Sequence, residues 1–378
     1  MKKIVIAHIV QSTISGVTEY LRLLLPRLDN DLFENIVICP EHDNLSEEMH
    51  KIGIRVINLE MRREVSINDF FVILKLKKIL KENNVDIVHA HSSKAGVVGR
   101  LAAFFARVPS IYTPHGWSFN MLIKKHKIRS YVFWEKILSH FSKKIIQVSE
   151  YEYTTAIAHG IKKSKLVVFK NAIDINRFKN INEFDRISIR KQLNIPNDAI
   201  VIGMVARLTK QKNPYNFIKI AKGLIERKNN MFFIFVGDGE FRKDIEKELK
   251  SLNIDDKFLI TGWINDVEKY LAVMDIATLT SQWEGLSLTI IEYLAAKIPT
   301  VASNIGGIYD TIVDNVCGFL VDPDDTYGFI EKLERLAYNK NLREMLAKNG
   351  YEIVKENFEI SRLVSQYEQL YLDIIKTS

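Results

Sequence analysis

Short apolar runs alternate with longer amphipathic stretches along nearly the whole chain. In the first half, KIVIAHIV, NIVICP, IRVINL, DIVHAH, SIYTP, KIIQVS and LVVFKN predict strands. Segments 17–28, 68–83 and 94–107 predict helices between several of them. In the second half, VIGMVARL, FFIFVGDG, FLITGW, IATLTS, TVASN and GFLV predict strands, most of them followed by a helical pattern. Short β-branched runs separated by helices belong to parallel sheets covered on both faces. Two such series in one chain predict two doubly wound α/β domains. The break is expected within 172–198, where AIDINRFKNINEFDR is polar and lacks a strong period. The last segment, ISRLVSQYEQLYLDIIKTS, predicts a helix with no strand after it.

Composition narrows the class. The chain has 378 residues, 47% hydrophobic and 26% charged, the profile of an ordinary globular protein. No apolar run reaches the ~18 residues of a membrane-spanning helix. The opening MKKIVIAHIV is too short and too alternating for a signal peptide, and reads as a first buried strand. Two cysteines, Cys39 and Cys317, make neither a disulfide framework nor a Cys-based metal site, so a reducing cytoplasm is expected. Charge is uneven. Residues 1–170 carry 26 Lys+Arg against 16 Asp+Glu, and residues 171–378 carry 27 against 30. All nine histidines precede residue 160. A basic first half suits an anionic partner: a membrane surface, a phosphorylated acceptor or nucleic acid. Solvated basic helix faces are the alternative.

In open parallel sheets ligands bind beyond the carboxyl ends of the strands, so the strand exits hold the candidate chemistry. After the first strand, Gly16 opens a helix, where a phosphate could approach free backbone N–H groups; glycine also commonly marks such turns. GxxxxGK[ST] is absent, and VGDGEFRK lacks the third glycine of GxGxxG. His89 and His91 share one side of a strand. No cysteine, third histidine or acidic cluster near them completes a metal site, and the non-metal reading is preferred. His115, in YTPHGWSFN, sits where the chain turns out of the sheet and can bond a polar ligand or simply pack. Arg207 and Lys212 leave the first strand of the second domain and can clamp a diphosphate, or be two solvated cations.

The richest segment is SQWEGLSLTIIEYLAAKIPTVAS, with Glu284 in a strand exit and Glu292 eight residues on, inside a helix. Amides of Leu286, Ser287 and Leu288 would form an anion hole at the helix start. Glu284 and Glu292 would flank that anion, one on sugar hydroxyls and one on ribose hydroxyls. The alternatives are a capping box, Thr289 to Glu292, and an exposed loop carboxylate.

Together these residues resemble the family-4 retaining glycosyltransferases of GT-B fold. The likeness rests on the E-x7-E pair Glu284 and Glu292, the RL-x-K-x-K run with Arg207 and Lys212, VGDGE and IPTVASNIGG. HAHSSKAGVVGRLAA and YTPHGWSF resemble the capsule, exopolysaccharide and lipid-linked oligosaccharide members. The resemblance implies two Rossmann-like domains facing a cleft. An acceptor-binding domain would span 1–172 and regain the C-terminal helix 360–378; a nucleotide-sugar-binding domain would span 173–359. It implies Gly16 near the donor phosphate, and Arg207 and Lys212 on the diphosphate. It implies the amides of Leu286, Ser287 and Leu288 on phosphate or sugar, and Glu292 on the ribose. It puts Glu284 on the sugar hydroxyls and His115 near the reacting centre. Ser15 replaces a usual glycine, and Ser287 replaces the glycine of E-G-F-G.

The implied reaction is sugar transfer, with retained configuration, from a UDP-linked and N-acetylated donor to an undecaprenyl-diphosphate-linked or oligosaccharide acceptor. No metal or other cofactor is expected: DPDD at 322–325 lies far from the site segment, and AIDIN contributes Asp174 alone. KKHKIR at 124–129 and KLKKILK at 75–81 are candidate surfaces for anionic lipid at the inner face of the plasma membrane. Two rival readings are a sugar-nucleotide epimerase of the same fold and a non-catalytic, glycosyltransferase-like binding subunit. Nucleic-acid binding has no recognition motif behind it.

Overall fold

The computed structural model describes residues 2–11, 16–41, 44–62, 68–121, 124–179, 181, 185–227, 230–264 and 266–377. The chain divides into two compact units, Met1–Ala172 with Ile360–Ser378, and Ile173–Glu359.

The first unit holds seven strands: β1 Ile4–Val10, β2 Phe33–Cys39, β3 Arg55–Asn58, β4 Ile87–His91, β5 Ser110–Thr113, β6 Lys144–Gln147 and β7 Leu166–Val168. Their order is β3-β2-β1-β4-β5-β6-β7, with parallel pairing throughout. The sequence placed a strand at each of these positions. Side chains alternate between two buried faces. Ala7, Ile9, Val88, Ala90 and Tyr112 pack beneath helices Asn68–Glu82 and Ser93–Ala106. Ile6, Val10, Ile87, Ile111 and Ile146 face helix Gly16–Leu24 and the C-terminal helix Ile360–Lys376. That last helix buries Ile360, Leu363, Val364, Tyr367, Tyr371 and Ile374, one apolar stripe at helical spacing. This stripe returns the chain's end to the first unit.

The second unit holds β8 Ile200–Val205, β9 Met231–Val236, β10 Phe258–Ile260, β11 Ile276–Leu279, β12 Thr300–Ser303 and β13 Gly318–Val321. Their order is β10-β9-β8-β11-β12-β13, again parallel. Both sheets therefore reverse direction beside their first strand: between β1 and β4, and between β8 and β11. Such a switch point leaves a crevice at the strands' carboxyl ends.

The stretch read as unpatterned linker is more ordered than its polarity suggested. Helices form at Asn176–Lys179 and Arg186–Gln192. Ile175, Phe178, Ile181 and Ile189 are buried. Arg186 and Arg190 meet opposite oxygens of Asp275 at 2.6 and 2.9 Å, and the Asp275 carboxylate also accepts from Val201 N. Long-range ion pairs replace the apolar periodicity that would have announced these helices.

Candidate active site

In the second unit the site is built from the exits of β8 and β11. After β8, a short 3-10 turn at Lys210–Lys212 ends on Asn213 in the left-handed region, φ 48°. Thr280 Oγ1, just past β11, donates to the carbonyls of Lys212 and Asn213, and Gln282 N donates to Gln211 O at 2.8 Å. The two loops are thereby stitched together. Within them Lys212 Nζ meets Glu284 Oε1 at 2.5 Å, with both side chains mostly shielded from solvent. Ser281 Oγ donates to the same oxygen at 2.7 Å, and Gln211 Nε2 reaches Glu284 Oε2 at 3.5 Å. Arg207, from the same loop, is exposed, and among the described residues no ion pair engages its guanidinium.

Two close approaches explain the glycines around this cluster. A Cβ on Gly307 would lie 1.6 Å from the Gly285 carbonyl oxygen, so the IGG turn presses directly on the Glu284 loop. Gly237, at φ 144°, would put a Cβ 2.0 Å from the Ala206 oxygen. The VGDGE turn thus supports the strand exit that carries Arg207.

Helix Leu288–Ala295 begins on Ser287, whose extended backbone (φ −83°, ψ 109°) makes it the N-cap. Thr289 consequently lies inside the helix, and the capping-box alternative for Glu292 fails on position. Glu292 is half-buried in the helix's second turn. Tyr293 OH accepts from Val205 N, locking the helix to the end of β8; burial, reinforced by the Glu292 carboxylate, pushes the Tyr293 hydroxyl far above its ordinary pKa. Two hydroxyls in these loops, Ser287 Oγ and Thr209 Oγ1, are buried without a hydrogen-bond partner. Such groups are uncommon in folded proteins and ask for a ligand or water. The acidic run after β13 has a local use: Asp325 caps helix Thr326–Tyr338 through Gly328 N.

In the first unit the switch point gathers histidines. The expectation that no third histidine completes a cluster with His89 and His91 is overturned. His8 pairs with His89 across β1 and β4, and ring nitrogens of His8, His89 and His91 all lie within 4.8 Å. Strand neighbours 81 residues apart in sequence are invisible to a spacing argument. His115, expected as a lone histidine, continues the cluster: its Nε2 lies 3.0 Å from His91 Nδ1, and its ring stacks on His91 and edges onto Tyr20. Burial drives the pKa of His8 down to about 4 and that of His115 to about 3; burial and neighbouring imidazoles push His89 and His91 well below 6.5. All four are neutral at pH 7.

The backbone leaves the sheet under strain here. His115 has φ 54° and Gly116 φ 119°, while Ser92, directly after His91, has φ 67° and ψ 169°. Ser92 thus adopts a conformation that side chains rarely tolerate. The His115 turn is held by Glu152, which accepts from Trp117 N at 2.9 Å, and by Gln147, which accepts from the Trp117 indole at 2.7 Å. Gly16 opens helix Gly16–Leu24 with nothing within 4 Å of a built Cβ. No neighbour among the described residues requires glycine there. Ser15 lies outside the described residues.

Of the residues singled out in the sequence, the fold therefore brings Lys212 and Glu284 into contact and sets Leu286, Ser287, Leu288 and Glu292 on one loop and helix beside them. It sets His115 and Gly16 at strand exits of the first unit. It adds Ser281, Gln211, Thr209, His8 and Asn35, which had no signal of their own in the sequence.

Known proteins carry the same pattern. Residues 14–177 match the model of "Glycosyltransferase Family 4", and residues 185–353 that of "Glycosyl transferases group 1". The chain is 31% identical over 383 residues to a UDP-Gal:alpha-D-GlcNAc-diphosphoundecaprenol alpha-1,3-galactosyltransferase of Escherichia coli, covering 99% of this chain and 98% of that one. It is 26% identical to the capsular polysaccharide biosynthesis glycosyltransferase CapM of Staphylococcus aureus, covering 85% of both. Among solved structures it superposes on HepE of Anabaena, determined with UDP and glucose, at TM-score 0.84 and 21% identity, covering 97% and 98% of the two chains. The chain belongs to the family-4 glycosyltransferases, has the GT-B fold, and is of the kind that builds bacterial surface polysaccharide.

Proposed function

We propose that this chain is a retaining glycosyltransferase that moves a hexosyl or N-acetylhexosaminyl group from a UDP-sugar to a lipid-diphosphate-linked saccharide. The observation that carries this reading is the β8/β11 switch point. An arginine with no ion-pair partner among the described residues, a Lys–Glu pair, a helix N-terminus and two buried orphan hydroxyls lie on these loops, and their charge and donors suit a diphosphate and a sugar. Arg207 and Lys212 neutralise charge on the departing diphosphate, and the first amides of helix Leu288–Ala295 receive its oxygens. Glu292 holds ribose hydroxyls. Glu284 accepts from sugar hydroxyls, and His115 contacts the donor sugar. Gly16 leaves its amide open to the phosphate. No step in this scheme uses a metal ion.

Glu284 already accepts from Lys212 and Ser281. A carboxylate held that way is a poor nucleophile, which favours front-face transfer over a covalent intermediate. The anomeric C–O bond to the diphosphate breaks, the acceptor oxygen bonds the same carbon on the same face, and its proton passes to a diphosphate oxygen.

The acceptor's lipid suggests where the enzyme works. Among the described residues no helix is long and apolar enough to cross a membrane. Helix Lys125–Ser139, however, exposes Tyr131, Phe133, Trp134 and Ile137 beside the basic run 124–129. Helix Asn68–Glu82 exposes Phe70, Phe71 and Leu74 beside Lys75 and Lys78. Aromatic side chains interleaved with cations fit the interface of an anionic bilayer, and we propose that this face rests on the inner leaflet.

The test supplies radiolabelled UDP-sugars with a diphosphoundecaprenol-linked N-acetylglucosamine acceptor and reads the anomeric configuration of the product by NMR. Transfer with retention supports the proposal. UDP-sugar consumption that needs no acceptor would instead identify an epimerase. Sedimentation with phosphatidylglycerol vesicles should fall severalfold for the Phe133→Ser, Trp134→Ser double variant; unchanged sedimentation would remove the membrane face.

A further inference from the structure

The histidines of the first unit form a directed chain. Asn35 faces His8 Nε2 at 3.1 Å, His8 Nδ1 faces His91 Nε2 at 3.2 Å, and His91 Nδ1 faces His115 Nε2 at 3.0 Å. Among the described residues His115 Nδ1 has no protein partner, so the chain ends on an open nitrogen. A neutral imidazole carries one N–H and one bare nitrogen. Each shared bond needs one of each. Once the first link is set, every ring in the series has its tautomer set.

The first link is set by Asn35, which is 6% exposed. As placed, Asn35 Oδ1 faces His8 Nε2 and the buried Nδ2 leaves both of its N–H groups unbonded, with no partner found for that nitrogen. With the amide turned over, Nδ2 donates to His8 Nε2 and the orphan becomes a carbonyl oxygen, which folded proteins tolerate better. His8 then holds its proton on Nδ1 and donates to His91 Nε2. His91 holds its proton on Nδ1 and donates to His115 Nε2. His115 must carry its proton on Nδ1.

We propose that Asn35, His8 and His91 are positioning residues that fix His115 in the Nδ1–H tautomer, so that it presents a hydrogen-bond donor, not a base, to the oxygen atoms of its substrate. This rests on the reading of His115 as a donor-sugar contact, and it assigns that contact its direction. The low proton affinity of all four rings supports the scheme, because a charged ring would break the single polarity. His89 stands beside the chain without joining it. Its nitrogens go to Tyr371 OH at 2.9 Å and Thr113 Oγ1 at 2.8 Å. A metal ion held by His8, His89 and His91 would have to break several of these bonds.

The experiment is two-bond proton–nitrogen correlation NMR on the full-length protein with 15N-labelled histidine, with His115 assigned through His115→Gln. The expected wild-type result is a single Nδ1–H tautomer for His115. His91→Phe and Asn35→Leu should convert it to a mixture. His91→Gln, which accepts on one side and donates on the other, should restore it. Kinetics should follow, with kcat reduced at least tenfold in His91→Phe, recovered in His91→Gln, and KM for the donor nearly constant. The NMR readout needs no activity, so it decides the tautomer even if no transfer reaction is found. Three results would overturn the proposal: an Nε2–H tautomer of His115 in the wild type; a tautomer indifferent to His91→Phe in a folded protein; or stoichiometric zinc in the purified protein that is lost in His8→Phe.

Discussion

The two units share one sheet design and use its switch point in opposite ways. In the first, β1 and β4 bury imidazoles that burial keeps neutral, linked nitrogen to nitrogen and walled by Tyr20, Tyr367 and Tyr371. In the second, β8 and β11 deliver full charges, a Lys–Glu pair and an exposed arginine, into loops beyond the strands. The same kind of crevice, one in each unit, is therefore prepared for two tasks. A neutral network, bonded ring to ring, orients a group without attracting an ion. A charged, incompletely bonded one can receive an ion and compensate it. The contrast teaches that topology supplies the place, and that local burial decides which electrostatics can live there.

The largest expected effect separates the units by pH. The folded-state pKa values of His8, His89, His91 and His115 all lie below the ordinary 6.5. The unfolded chain therefore binds more protons between pH 6.5 and about 4, and stability falls as pH drops through that window. His8 alone, moved from 6.5 to about 4, corresponds to roughly 3 kcal/mol lost by the acid end of it. Peptide-level hydrogen exchange at pH 7 and pH 5 should show loss of protection concentrated in β1, β4 and β5. Equal loss in β8 and β11 would dissolve the comparison.

Next comes Lys212→Ala. It leaves the shielded Glu284 with only Ser281 and Gln211, a change that costs about 3 kcal/mol when an ion pair is well buried. On the role proposed for Lys212 at the leaving group, transfer should also fall about 10²–10³-fold in kcat. Thermal melting and transfer rate should both fall.

Arg207→Ala sharpens the same point from the other side. An exposed cation without an ion-pair partner contributes within about 0.5 kcal/mol to stability, so the melting temperature should hold while transfer drops about 10²-fold. A parallel loss of stability would show that Arg207 is structural. Smallest is Gly16→Ala. With open space around its Cβ the fold should be unaffected, and donor binding should weaken about tenfold, near 1.4 kcal/mol. Unaltered binding would remove Gly16 from the phosphate.

The contrast also explains what was legible beforehand. Strand positions in both units were readable because most strands are short runs buried on both faces; edge strands β3 and β10 are only partly buried. The charged site was readable because Glu284, the amides at 286–288 and Glu292 lie in one continuous segment, and Arg207 and Lys212 in another. The histidine chain was not. It joins residues 8, 35, 91 and 115 from four strands or strand exits, and only strand order makes them neighbours. His89 and His91 gave a partial signal through their two-residue spacing, but the missing member sat on β1. Asn35 carried no signal at all, since a buried asparagine in NIVICP looks like the start of an apolar run. The helices within 172–198 were hidden for a related reason: Asp275, which holds Arg186 and Arg190, lies more than 80 residues away.

The most direct test of the account is calorimetric titration of UDP into the wild type, Arg207→Ala and Glu292→Ala. The account predicts saturable binding by the wild type and at least a tenfold weaker affinity in each variant, with all three proteins equally folded. Absence of UDP binding by the wild type, or equal affinity in all three, would contradict the assignment of the β8/β11 switch point as the donor site.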